Sequence, residues 1–227
     1  MGTWPVSADE LIDAQRALAA MTPQPWQPEG PVTIIGACFV CFGRGISGRG
    51  RRGEPAWGAA ALARNRKTFA TASVTGRAAG GYEPGLLALR AGELLESAVR
   101  ALPELPSVLL VDATGRDHPR RAGLASHLGW ILGIPTVGVT HRPLAASGEW
   151  PADERGARSP LLLDHEVVGY WVRTRPGARP LAVHGAWRTE PEVAADLVMK
   201  TVRRARTPDP LRRARRTARL ARAGLLR

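Results

Sequence analysis

Cysteine is nearly absent. The 227-residue chain holds only Cys38 and Cys41, too few for a disulfide framework. They form a lone C-x-x-C within an apolar, strand-like run. Strand residues at that spacing point to opposite faces, which suits neither a shared metal nor a disulfide. No apolar run is long enough to cross a bilayer, so no membrane partner is expected. The N-terminal segment has Asp9 and Glu10 but no basic n-region, which argues against a secretory signal and for the cytoplasm. The P-loop pattern is missing, and no internal repeat is visible. Acids are scarce at the C-terminus. From Arg203 to Arg227 there are ten arginines and one acid, Asp209, so this stretch carries +9 of the formal +12. Such a tail attracts nucleic acid or an acidic protein surface by steering and counterion release.

What is present is an α/β pattern. Residues 8–21 read as a short amphipathic helix with Ser7 and Glu10 as a capping box. A proline-rich linker spans 22–31, with Trp26 packed back on the domain. Residues 32–42 are near-continuously apolar, as in a strand buried on both faces. A Gly/Arg loop at 43–55 presents Arg44, Arg51 and Arg52 toward phosphates. Residues 57–63 and 68–74 form a hairpin around Asn65-Arg66. The turn at Gly80–Gly85 feeds a helix with apolar positions Leu87, Ala91, Leu94, Ala98 and Leu102. A strand at 108–111 ends on Asp112, a helix covers 122–132, and a strand at 135–140 ends on His141. A loop at 145–159, a hairpin-like pair at 166–174 and 180–184, and a helix at 191–204 follow. Residues 1–210 then form one domain, with 211–227 as an Arg-rich helix or tail carrying Arg212 and Arg216 toward nucleic acid. The expected architecture is a mixed sheet of five core strands with helices on its faces.

In open α/β sheets, ligands bind at the carboxyl ends of strands, where Asp112 and His141 stand. Asp112 suits a hard divalent cation. A nuclease needs further carboxylates around such an ion, and the neighbouring strands supply none. Asp117, Glu83 and Glu93 are the acids that would complete a rearranged site. His141 is the best placed imidazole for acid–base work or phosphate contact. His118, Arg120 and Arg121 precede a helix N-terminus and so suit an anion, while His127 reads as packed.

Several ordered blocks resemble the endonuclease V family, nucleases of RNase H-like fold that cut beside deaminated purines. They are Tyr82-Glu83-Pro84-Gly85 with Leu89-Arg90, Leu110-Val111-Asp112, His118-Pro119-Arg120-Arg121, Ala125-Ser126-His127, and Ile134 to Val139. The resemblance implies an RNase H-like fold, a DNA or RNA partner with a deaminated purine, and Mg²⁺ if the chain cleaves. It implies that the turn at Tyr82, Pro84 and Gly85 opens the duplex and frames the base. It makes Asp112 a metal ligand. It also puts Cys38 and Ala91 where the family has carboxylates, Thr114 and Ala186 where it has histidines, and His141 where it has a lysine. The expectation is a nucleic-acid-binding relative with lost or weakened metal-dependent cleavage. The alternatives are an active nuclease with a displaced acid, small-molecule chemistry with Cys38 acting beside Asp112 or His141, and an acidic protein partner.

Overall fold

The computed structural model describes residues 3–28, 34–45 and 49–225. The expected strand start at Val32, the linker end at 29–31, residues 46–48 of the Gly/Arg loop and Leu226 lie outside the described residues.

One mixed sheet organises the molecule. Its strands are β1 (Ile35–Phe42), β2 (Pro55–Arg64), β3 (Lys67–Arg77), β4 (Val108–Val111), β5 (Thr136–Thr140), β6 (Arg158–Leu163), β7 (Glu166–Val172) and β8 (Leu181–Gly185). The spatial order is β3-β2-β1-β4-β5-β8-β7-β6. β1, β4 and β5 are mutually parallel, and the outer pairings are antiparallel. The sheet therefore has eight strands, not five. β8, β7 and β6 add to the β5 edge, and β6 begins inside a stretch that reads as loop. Its burial alternates irregularly around Pro160, which hides the strand period.

Helices cover both faces. α1 (Ala8–Ala19), α2 (Leu87–Arg100) and α3 (Leu124–Leu132) lie together, and α4 (Pro191–Thr201) and α5 (Asp209–Arg222) form the other layer. Period-two alternation in β4 splits the core between the layers. Leu109 and Val111 join Leu62, Leu95 and Leu128 on one side, while Val108 and Leu110 join Val137, Val183, Leu197 and Leu211 on the other. Ser7 caps α1 by accepting from the Glu10 amide, and Glu10 accepts from the Val6 amide. The β2–β3 turn holds Asn65 and Arg66 at φ 50° and 63°, the left-handed pair a two-residue hairpin requires.

The basic C-terminal stretch is not a free arm. Leu211, Ala214 and Ala218 are buried, and α5 lies across β1, β2 and β3. Full burial of a Leu side chain stabilises by about 1.5–3 kcal/mol. That apolar stripe fixes the helix's rotation, which decides which arginines point in and which point out.

His127 is enclosed, stacked on Trp4 with ring centroids 4.7 Å apart and edge-on to Trp130 at 5.8 Å. Neither ring nitrogen finds a hydrogen-bond partner. Burial pushes its pKa from 6.5 down to about 4. Between those values the unfolded chain takes up a proton that the folded chain refuses. Stability should therefore be complete above pH 6.5 and fall as pH drops toward 4, by about 3 kcal/mol for this group. Urea denaturation at stepped pH should show a smaller acid loss for His127→Leu than for the parent. Equal slopes would rule out His127 as the source.

Candidate nucleic-acid site

The site forms where β4 and β5 end and the Tyr82 turn approaches. A cleft of about 280 Å³ lies between Tyr82, Gly85 and Leu87 on one side and Asp112, Thr114 and Arg142 on the other. Tyr82 is 45 % exposed at this cleft. Pro84 is exposed beside it. Gly85 has φ 80°, and an added Cβ would stand 3.2 Å from the Arg120 guanidinium, so only glycine suits this position.

The Gly85 carbonyl is the anchor of this turn. Gln15 Nε2 donates to it at 2.9 Å, His118 Nε2 at 3.0 Å and Arg120 at 3.2 Å. The other His118 ring nitrogen accepts from the Arg120 amide at 3.1 Å, and Arg120 Nε donates to Gln15 Oε1 at 2.6 Å. This corrects the expectation of a phosphate grip at His118, Arg120 and Arg121. His118 is buried, both its nitrogens are used, and burial lowers its pKa, so it is a neutral brace. Arg120 shares that brace. Arg121 is committed to Glu166, Asp164 and the Leu163 carbonyl, pinning the β6–β7 turn. His118 and Arg120 hold the Tyr82 turn in place, and Arg121 holds the β6–β7 turn.

Asp112 lies just past β4 and meets an unexpected partner. Arg215 reaches it from α5, with Nε 3.1 Å from Oδ2 and a terminal nitrogen 3.0 Å from both carboxylate oxygens. The side chains are 17 % and 20 % exposed. The Arg215 guanidinium also lies 5.6 Å from the Phe39 ring centroid on β1. In the sequence Arg215 is one of ten similar arginines. The only available signal was its place beside the Leu211-Ala214-Ala218 stripe.

The other candidate ligands do not gather. Cys38 and Ala91 both belong to the apolar cluster under α2. Cys38 is wholly buried, and burial, with Asp112 as a lesser cause, pushes its thiol pKa far up. It is neither a thiolate nor an accessible nucleophile, which corrects its expected catalytic role. Asp117, the acid that would complete a rearranged site, is bonded to the loop after β5. Its carboxylate accepts from the amides of Leu144, Ala145 and Ala146 at 2.7, 2.8 and 2.7 Å, and His184 Nε2 stands 3.2 Å away. Glu83 and Glu93 are solvent-exposed. Ala186 packs beside Gly115, so the C-terminal side chain that faces Asp112 is Arg215.

His141 is exposed just past β5. Partial burial and the nearby Arg206 and Arg215 guanidiniums lower its pKa against the pull of Asp112. It is therefore a neutral imidazole near neutral pH, in a field of positive charge.

A hard cation such as Mg²⁺ does not fit this donor set. It needs several oxygen ligands, and here Asp112 is the lone carboxylate with a guanidinium on both oxygens. Among the described residues, no group of three or more His, Cys, Asp and Glu side chains is arranged to hold a metal ion.

The predicted loop and tail arginines divide in two. Arg44, Arg51 and Arg52 are exposed, and their loop is tied to the Tyr82 turn by the Tyr82 amide donating to the Arg49 carbonyl at 2.6 Å. Arg212 pairs with Asp209 one helical turn away. Arg216 shares a basic depression with Arg66, Lys67 and Arg203. Arg66 and Lys67 are at the β2–β3 turn, which pairs with the start of β1, so this patch is at the end of the sheet opposite Asp112. Arg212 and Arg216 are thus separate from the cleft.

Comparison with known proteins agrees with the fold and motifs. The Endonuclease V family model matches residues 40–216. Endonuclease V of Thermus thermophilus is 38 % identical over 213 residues, covering 92 % of this chain and 90 % of that protein. Endonuclease V of Xanthomonas campestris pv. campestris is 38 % identical over 137 residues, covering 60 % of this chain and only 58 % of that protein. The crystal structure of endonuclease V from Streptomyces avermitilis superposes with a TM-score of 0.86 at 31 % identity, covering 97 % of this chain and 95 % of that one. Ciona intestinalis endonuclease V, solved with DNA containing an inosine, shares the fold with a TM-score of 0.79 at 20 % identity, covering 96 % of this chain and 98 % of that one. On the extent of the family match and the near full-length relative, the chain belongs to the endonuclease V family.

Proposed function

We propose that this protein binds single-stranded or locally opened DNA or RNA, with a preference for a deaminated purine, and does not cleave it by Mg²⁺ chemistry. The observation that carries this reading is the two-pronged Arg215 pair on Asp112. A guanidinium there neutralises the one carboxylate that a divalent cation would need, while Cys38 and Ala91 have become core.

The recognition side is better equipped. The exposed Tyr82 ring stands at a cleft of about 280 Å³, a volume suited to one extruded base. Base stacking on an aromatic ring stabilises by roughly 1–3 kcal/mol. The three donors on Gly85 keep that turn in place before binding, so little ordering cost falls on association. The Ciona intestinalis relative, bound to inosine-containing DNA, supports the choice of ligand. Exposed Arg44, Arg51 and Arg52 add positive charge on the loop bonded to the Tyr82 turn.

An inosine-containing oligonucleotide incubated with excess protein and Mg²⁺ or Mn²⁺ should stay intact. The same strand should bind more tightly than its inosine-free counterpart, and Tyr82→Ala should weaken binding by about tenfold. Cleavage that disappears in Asp112→Ala would overturn this reading.

A further inference from the structure

We propose that Arg215, held by Asp112, is a metal-free docking point for a backbone phosphate of the bound nucleic acid, with Arg206 as the second cation. The proposal rests on the nucleic-acid reading above.

Arg215 leaves part of its hydrogen-bonding capacity unused. Its Nε and one terminal nitrogen are committed to Asp112. The second terminal nitrogen has no protein hydrogen-bond partner among the described residues. The carboxylate and the Phe39 face fix the guanidinium plane, so its remaining donors have a set direction. Arg206 is built the same way. Its Nε donates to the Arg179 carbonyl at 2.5 Å and one terminal nitrogen to the Pro180 carbonyl at 2.8 Å, and the other terminal nitrogen has no hydrogen-bond partner among the described residues.

Arg215 and Arg206 both bring positive charge to His141, and Asp112 is the carboxylate set against them there. Arg206 itself bonds only carbonyl oxygens, so the local charge is net positive. Arg206 is itself lowered by burial and by Arg215 and Arg179, which marks the crowding of like charges. A phosphodiester is the chemical complement: singly negative, with acceptor oxygens only. Guanidinium bonds to phosphate are among the stronger charge-assisted contacts. A cation at this strand end can hold a phosphate without the ligand set a metal requires, in a site where Cys38 and Ala91 supply no oxygen ligand.

The test is fluorescence anisotropy with a labelled single-stranded DNA carrying one inosine, at several salt concentrations, in EDTA and in Mg²⁺. The parent should bind equally in both. Arg215→Ala should weaken binding about tenfold or more and reduce the salt slope by about 0.7, the loss of one single-strand phosphate contact. The double variant Asp112→Ala/Arg215→Ala leaves no lone carboxylate, so it should fold and show the same loss. A double variant with parental affinity and slope would mean the pair is structural only and would overturn the proposal, leaving the nucleic-acid reading intact. Affinity that requires Mg²⁺ and vanishes in Asp112→Ala would put a metal there and overturn it too. No binding by the parent would overturn both readings.

Discussion

Glu54→Ala should destabilise the fold by about 3–5 kcal/mol, the usual cost of breaking a buried ion pair from one side. Glu54 and Arg90 are each only 6 % exposed and pair with one another. Arg90 also donates to the Gly80 carbonyl at 2.8 Å and covers the Phe42 ring at 3.9 Å. Burial lowers its pKa, a measure of how poorly the site tolerates a charge without its partner. With Glu54 gone, a guanidinium remains in the core between α2 and the sheet. Arg90→Met should cost a similar amount by stranding the carboxylate. The double variant Glu54→Met/Arg90→Met should recover much of the loss, because apolar groups of similar volume carry no desolvation debt. Urea denaturation of the three variants measures this directly, and single variants within about 1 kcal/mol of the parent would refute it. Binding should suffer too, since the pair tethers Gly80 and the segment that holds the Tyr82 amide.

Asp117→Ala should cost about 3–5 kcal/mol, because three amides lose a charged acceptor together and the buried His184 loses the carboxylate beside it. Asp117→Asn should cost less, since one oxygen still accepts. The damage should centre on residues 144–146, whose neighbours Arg142, Pro143 and Leu144 line the cleft. Amide hydrogen exchange should show those three positions losing protection first. The contrary result is equally clear. A variant of parental stability that has lost Mn²⁺ binding would make Asp117 a metal ligand after all.

The two predictions share a theme. Polar groups that look available in the sequence are spent on holding the binding surface in shape. His118 and Arg120 brace Gly85, Asp117 gathers the loop after β5, and Glu54 with Arg90 ties down the segment beside Tyr82. In the binding reading proposed above, the groups left to meet a ligand are Tyr82, the loop arginines and the unbonded edges of Arg215 and Arg206.

The sequence by itself located the strands β1, β4 and β5, the β2–β3 hairpin and the place of Asp112 at a strand end. Those features rest on local signals: apolar runs, turn residues and strand ends, each legible within a dozen residues. The motif blocks also determined the family. Only the tertiary structure decided what the remaining polar residues do. Asp117 looks like a loop acid until the amides of 144–146 close on it from nearly thirty positions away. His118 looks like a phosphate ligand until the Gly85 carbonyl occupies it. Arg215 is indistinguishable from its neighbours until burial of Leu211, Ala214 and Ala218 sets the rotation of α5 and turns that one arginine onto Asp112. A charge's partner is fixed by through-space distance, and composition and spacing along the chain do not contain it.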